Sequence, residues 1–327
     1  MHSSYAQFLK DHLSLSRPTS GLQVLDLFAG CGGLSLGFEA AGFQVQGYDM
    51  NVDACATYRT NLQGPCHCES LTTSSNFPPT DILIGGPPCQ PFSVLGSQSG
   101  ATDKRNGFEI FIAAVDQLKP LLWMFENVRG MLGRSRSYLE QVLDRLRKLD
   151  YQIEEPKLVN AKDYSVPQNR ERIIVVGHRL QSFEWPSPSS KRVNVRQAIG
   201  RTAQRAYGTS RFVTASMDAY IARYEKASCC RRPRDLELDA PARTLTCRNL
   251  GGATGDMIRL KLPNGRRRLL TIQEAARLQS FPSTFKFEGS MTSQFQQIGN
   301  AVPPLMAFAL ATAIRASLEN GKLSSDG

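Results

Sequence analysis

The stretch QVLDLFAGCGGLSLGFEAAGFQVQGYD, residues 23–49, decides the fold. It opens on an apolar run, 23–28, that reads as a strand. A glycine-rich turn leads into a helical stretch from about Leu34 to Ala41, and a second strand, 43–48, ends at the acid Asp49. Working outward, helical pattern runs on through Tyr58, and further strands are predicted at 81–85, 121–126, 152–159 and 172–176. Helices are predicted at 109–118 and 137–149. Strands alternating with helices imply an α/β fold, a doubly wound and mainly parallel sheet covered on both faces.

After His178 the periodicity weakens. Pro186, Pro188 and the serines at 189–190 mark a boundary, and regular pattern returns at 271–279 and 303–318. The expected organisation is one large domain, 1–185, completed by 298–327, with a smaller irregular domain at 186–297.

The net charge of +10 is unevenly placed. Residues 191–268 hold 18 Lys/Arg against 6 Asp/Glu, a net of +12, which leaves 21 basic and 23 acidic residues elsewhere, a net of −2. A segment carrying the whole excess suits a polyanion, since Lys and Arg contacts to phosphate dominate nucleic-acid affinity; the alternative is a solvated basic face. The eight cysteines (31, 55, 66, 68, 89, 229, 230, 247) form no disulfide framework. With four histidines scattered at 2, 12, 67 and 178, no metal site is expected. No run of eighteen apolar residues occurs and residues 1–20 lack an apolar signal segment, so a soluble, cytoplasmic protein is expected.

Four segments carry candidate chemistry. In the glycine turn, a nicotinamide fingerprint would need a third glycine where Ser35 stands, which favours a nucleoside without phosphates. Asp49, 19 residues after Gly30, is placed to hold ribose hydroxyls. The turn alone could be structural; with Asp49 the cofactor reading is favoured. GGPPCQPFS (85–93) follows a strand directly, and its prolines and glycines hold Cys89 on a rigid loop suited to reaction more than packing. Glu126 ends an apolar strand, in surroundings that suit a proton donor; the alternative is a strand-end acid in a salt bridge. Arg170 and Arg172, two apart on an extended segment, are expected to face one side and reach a base oxygen and a phosphate. No histidine falls in these segments, which disfavours a Cys–His dyad.

Together DLFAGCGG (26–33), GGPPCQPFS (85–93), ENV (126–128), QNRER (168–172), LTIQEAARLQSFP (270–282) and QIGNAVPP (297–304) resemble, in this order, the DNA cytosine-5 methyltransferase family of bacterial restriction–modification systems. The resemblance implies S-adenosyl-L-methionine as cofactor and double-stranded DNA as substrate. It also implies a target-recognition domain that coincides with the basic segment. It implies that Phe28, Gly30, Gly32, Met50, Glu69 and Pro87 line the cofactor, that Asp49 holds its ribose, and that Asn300, Ala301 and Val302 approach its methionine end. Met50 stands where the family often has an aromatic residue. Cys89 would be the attacking thiolate, Glu126 the proton donor to ring nitrogen 3, Arg172 the ligand of oxygen 2 and Arg170 a phosphate contact. Gln90, Ser93 and Thr244 would contact DNA.

A cytosine in a duplex must be flipped out to be reached. The loop 93–105 is a candidate to close over the site. Arg248 and Asn249 are candidates to read base edges, Arg248 suiting guanine, or else form a glycine turn with a solvated arginine. A tRNA cytosine-5 methyltransferase on the same scaffold and a catalytically silent DNA-binding protein are the rival readings. A cognate endonuclease and a monomeric state complete the expectations.

Overall fold

The protein, seen in a computed structural model, is described for residues 4–15, 17–88, 107–227, 229, 234–251 and 255–323. Its centre is a sheet whose successive residues face opposite ways. In β1 (Gln23–Leu27), Val24 packs in one hydrophobic cluster while Leu25 and Leu27 pack in another. β2 (Gln44–Asp49) and β3 (Cys66–Cys68) lie on one side of β1, with β4 (Ile82–Gly85) and β5 (Leu122–Val128) on the other, all parallel. Ile82 and Ile84 face the first cluster and Leu83 the second; Leu122 and Met124 divide from Trp123 and Phe125 in the same way. Strands buried on both faces read as continuous apolar runs.

The strand expected at 152–159 is two strands, β6 (Gln152–Ile153) and β7 (Lys157–Asn160), separated at Pro156. Proline has no N–H to give the ladder. A short β8 (Gln168–Asn169) precedes β9 (Glu171–His178), which runs antiparallel to β5, β6 and β7. The sheet order is β3-β2-β1-β4-β5-β9-β6, with β7 also on β9.

Helices cover both faces, as a doubly wound sheet requires. α1 (Tyr5–Leu13) and α2 (Gly33–Ala40) bury Leu9 and Phe38 in the first cluster. α3 (Val52–Asn61) follows β2, and α4 (Gly107–Leu118) and α5 (Arg136–Arg147) bury Phe111 and Val142 in the second cluster. α1 is an addition to the sequence reading: Ser4 caps it by accepting from the Gln7 N–H, and Tyr5, Leu9 and Leu13 recur at the helical spacing.

The basic segment holds α6 (Val195–Ile199), α7 (Ala215–Ala227), β10 (Ala242–Arg243), α8 (Cys247–Gly251), β11 (Arg259–Lys261) and β12 (Arg267–Leu269). It is not a free basic lobe, because Val195, Ile199, Leu250 and Leu260 join the first hydrophobic cluster. α7 was hidden from the sequence reading because it buries only Ile221, in a small cluster with Met257 and Leu269.

α9 (Ile272–Leu278) starts at a capping box in which Thr271 and Glu274 satisfy each other's backbone N–H groups. Glu274 also receives both terminal nitrogens of Arg268, at 2.8 and 2.7 Å. Arg268 is fully buried and spends its remaining donors on the carbonyls of Thr202, Arg205 and Leu269. α10 (Met291–Asn300) and α11 (Pro304–Leu323) close the chain, α11 lying against α2. The stretch Met291–Asn320 is apolar enough by composition to cross a membrane, but 61% of its apolar window is buried inside the protein, as in a core helix.

Strand order reverses between β1 and β4. Crevices at the carboxyl ends of strands beside such a switch point are where open α/β sheets bind ligands. The glycine turn leaves β1 there, and Gly86-Pro87-Pro88 leaves β4.

Candidate active site

The cradle at the end of β1 is shaped by its glycines. Phe28 (φ 62°) and Gly32 (φ 86°) both sit in the left-handed region, which turns the chain sharply into α2. A Cβ on Gly32 would lie 2.2 Å from Leu62, and one on Gly33 would lie 2.4 Å from the carbonyl oxygen of Val302. Segment 298–304, distant in sequence, therefore packs directly on the turn. Gly30 donates its N–H to Asp49 Oδ2 at 2.8 Å, and Asp49 Oδ1 accepts from Asn51 N at 2.8 Å. A carboxylate has about four acceptor sites, so both oxygens keep one for a ribose hydroxyl. Glu69, just past β3, gives its N–H to the Asp49 carbonyl at 2.9 Å and leaves its side chain exposed. Met50 beside it is 71% exposed. Nothing lies within 4 Å of where a Gly30 Cβ would stand, so the turn is open at that point.

Beneath the turn, Asp26 is buried and accepts a 2.5 Å hydrogen bond from Ser35 Oγ. Burial pushes its carboxyl up to about 7; the Ser35 bond opposes this and the charge of Asp49 adds to it. Buried thiols behave alike. Desolvation raises Cys31 to about 12 and Cys66 to about 11, which keeps them protonated and inert.

The chemistry side lies at the ends of β5 and β9. The ladder pairs Glu126 with Ile174 and Val128 with Arg172, so Glu126 and Arg172 are diagonal neighbours on one face. Arg172 Nε stands 2.8 Å from Glu126 Oε1, with side chains 12% and 11% exposed. This is a close ion pair rather than an aligned hydrogen bond, since among the described residues Oε1 has no donor. Asn127 Nδ2 donates to the Pro87 carbonyl at 2.9 Å, and Pro87 itself is buried. The strand carrying Glu126 is thus bonded to the segment leading to Cys89. Cys89, Gln90, Ser93 and the loop 93–105 lie outside the described residues.

Thr244 follows β10 and donates its hydroxyl to the Asn169 carbonyl at 2.8 Å. It shares a cleft of about 490 Å³ with Val128, Arg129, Gly130, Asn169, Glu171 and Arg172.

Two site expectations are corrected. Arg170 does not share a face with Arg172. It is 1% exposed and donates to the carbonyls of Leu245 (2.8 Å) and Gly299 (3.2 Å). The chain changes sheets at this residue, β8 pairing with β10 and β9 with β5, so strand alternation does not carry through. Burial lowers the Arg170 pKa well below the ordinary arginine value; Arg172 adds to this and Glu126 opposes it. Arg170 is a tie between segments, not a phosphate ligand. Asn249 is likewise 2% exposed: its Oδ1 accepts from Thr246 N and its Nδ2 donates to the Thr244 carbonyl, both at 2.9 Å. It caps α8 and reads no base, whereas Arg248 next to it is exposed.

The count of basic residues also overstates the phosphate ligands. Arg192, Arg196, Arg234, Arg243, Arg259, Arg267 and Arg268 are each paired with a carboxylate, and Arg259 is fully buried between Glu225 and Asp235. Pairing leaves the net excess intact, and burial withdraws Arg259 and Arg268 from DNA, whereas exposed pairs such as those of Arg192 and Arg196 are held weakly. Arg201, Arg205, Arg223, Lys226, Arg248, Lys261 and Arg266 are exposed.

Residues without an assigned role in the sequence reading join these parts. Gln168 donates to Gln279 Oε1 and accepts from Leu245 N at 2.9 Å. Gln279 in turn donates to the carbonyls of Ile298 (2.8 Å) and Ala301 (3.0 Å). Both glutamines lie inside the quoted motifs, and an amide at an otherwise apolar position was the available signal.

The family model of C-5 cytosine-specific DNA methylases matches residues 22–316. The chain belongs to that family. Among curated relatives, this C-5 cytosine-specific DNA methylase is 53% identical over 323 residues to the type II methyltransferase M.AplI of Arthrospira platensis, covering 97% of this chain and 92% of the relative. It is 34% identical to the type II methyltransferase M1.HphI of Haemophilus parahaemolyticus, over 90% and 86% of the two chains. Among solved structures it is similar to a DNA modification methyltransferase encoded within an E. coli prophage, with TM-score 0.68, 25% identity and coverage of 91% and 100%. The Dnmt2 methyltransferase of S. pombe shares the fold alone, with TM-score 0.68 at 18% identity over 91% and 99% of the chains. The methylase acts on cytosine carbon 5 of DNA with S-adenosyl-L-methionine as methyl donor. The cradle fits that donor: an open glycine turn, a ribose-placed carboxylate and an exposed apolar neighbour in Met50.

Proposed function

We propose that this methylase modifies a flipped-out cytosine within a short specific sequence of double-stranded DNA, through a covalent adduct with Cys89, as the modifying partner of a type II restriction system. The observation that carries the reading is the Glu126–Arg172 pair, whose arginine lines the cleft and whose carboxylate lies on a strand bonded through Asn127 to Pro87, two residues before Cys89 in the chain.

Phe28, Gly30, Gly32, Asp49, Met50, Glu69, Pro87, Asn300, Ala301 and Val302 hold S-adenosyl-L-methionine, which supplies an electrophilic methyl group on its sulfonium. Cytosine carbon 5 is too poor a nucleophile to take that methyl unaided. The Cys89 thiolate forms a bond to carbon 6, and the electron pair displaced from the 5,6 double bond makes carbon 5 nucleophilic. Glu126 delivers a proton to ring nitrogen 3, so the ring carries the added electrons without net charge. Arg172 leans on oxygen 2 and keeps the base in register. After methylation, loss of the carbon 5 proton to a base, departure of Cys89 as thiolate and return of the nitrogen 3 proton to Glu126 restore the neutral ring. Thr244, with Gln90 and Ser93, contacts the DNA, and Arg248 reads a base edge. The 186–297 segment serves as target-recognition domain, and the enzyme works in the cytoplasm as a monomer beside an endonuclease of the same specificity.

The test uses duplex DNA in which 5-fluorocytosine replaces cytosine. Its fluorine cannot leave as a proton does, so a protein–DNA adduct dependent on S-adenosyl-L-methionine is expected. No adduct, or full methyl transfer by Cys89→Ala, removes Cys89 from this role.

A further inference from the structure

The cleft carries one polar pair that the reaction above leaves unused. Arg129 follows β5 directly and opens a single turn of 3-10 helix, Arg129–Leu132. Glu171 opens β9. The last ladder rung joins Val128 to Arg172, so Arg129 and Glu171 stand opposite each other one step beyond it. Their side chains meet at 2.6 Å, Arg129 Nη1 to Glu171 Oε2, across the rim of the cleft that Arg172 and Thr244 also line. Unlike Arg170 and Arg172, Arg129 is open to solvent, its side chain 68% exposed and that of Glu171 38%.

A carboxylate at the mouth of a cleft that receives a polyanion repels its own substrate unless a cation cancels it. An exposed ion pair is held weakly, and a guanidinium binds phosphate with two parallel hydrogen bonds. We propose that Arg129 is a ligand for a DNA phosphate beside the target cytosine, parked on Glu171 until the duplex arrives. The proposal rests on the DNA-methylating reading above. Glu171 holds the guanidinium at the rim while the cleft is empty, and the phosphate takes it over. The other role open to the pair is a strut that staples β5 to β9.

The experiment follows transfer of labelled methyl to unmethylated plasmid DNA across a salt series, with cofactor affinity and Tm measured in parallel. In Arg129→Gln, the KM for DNA rises about 3- to 10-fold with kcat little changed, and the log–log salt slope shrinks by about 0.9, one phosphate contact. Cofactor affinity and Tm stay near wild type. Arg129→Lys, which keeps the charge, keeps the slope. Adding Glu171→Gln to Arg129→Gln recovers part of the KM, because the uncancelled carboxylate is gone. A wild-type slope in Arg129→Gln, or a lowered Tm with unchanged KM, overturns the proposal and leaves the methylating reading standing. Absence of methyl transfer to DNA by the wild-type enzyme overturns both.

Discussion

Two regions that adjoin at Arg170 and Arg172 use the same kinds of side chain for opposite purposes. At the interior junction, Gln168, Arg170, Asn249 and Gln279 are buried and spend their donors on backbone carbonyls and one another. At the cleft, Arg129, Glu171 and Arg172 border open space, Arg129 pairing with Glu171 and Arg172 with the buried Glu126 behind it. Arg170 and Arg172 differ only in which side of the sheet change they fall on. Guanidinium chemistry alone does not say whether an arginine binds DNA or binds the protein to itself. Burial and partner decide that.

The sharpest way to break this contrast is to cut one residue from each region. Arg170→Ala leaves the Leu245 and Gly299 carbonyls buried without donors, which should cost about 3–5 kcal/mol in urea unfolding. Glu126→Gln keeps the shape but removes the counter-charge of Arg172, which should cost about 1–3 kcal/mol, and should lower kcat about 10²- to 10⁴-fold by removing the proton donor. If Arg170→Ala folds like wild type and loses only DNA affinity, the interior assignment fails.

A smaller effect sharpens the same line at the cofactor end. The folded pKa of Asp26 is near 7, above its ordinary 3.8. The native state therefore holds an extra proton between these values, and the contribution of Asp26 to stability falls as pH rises through 7. Asp26→Asn does not titrate there, so its stability relative to wild type should improve by about 3 kcal/mol from pH 5 to pH 8. Parallel pH profiles for the two proteins would show that Asp26 is ionised throughout.

The smallest effect concerns the recognition segment. Asn249→Ala removes a cap and should cost about 1–2 kcal/mol without altering which sites are methylated, as read by bisulfite sequencing. Arg248→Ala should barely change stability and should relax the choice of flanking base. A shift in site choice from Asn249→Ala would return that residue to the interface.

Much of this was legible in the chain. The apolar runs of β1, β4 and β5 announced a sheet buried on both faces, and Asp49 ends β2 as expected. The short β3, Cys-His-Cys, was not legible because three residues without apolar alternation carry no period. α7 was missed for a related reason: a helix with one buried residue shows no stripe. The net +12 of residues 191–268 was countable, but that Arg259 and Arg268 are interior was not.

By itself the sequence determined the α/β class, the buried central strands and the family, because those follow from local period and from motifs short enough to read along the chain. Only the tertiary structure decided which arginine faces the cleft, which glutamines bind segments 168, 279 and 298 together, and that Arg129 meets Glu171 at the rim. These depend on where the chain leaves one sheet for another and on which polar groups lose their water, and neither is written in the spacing of residues.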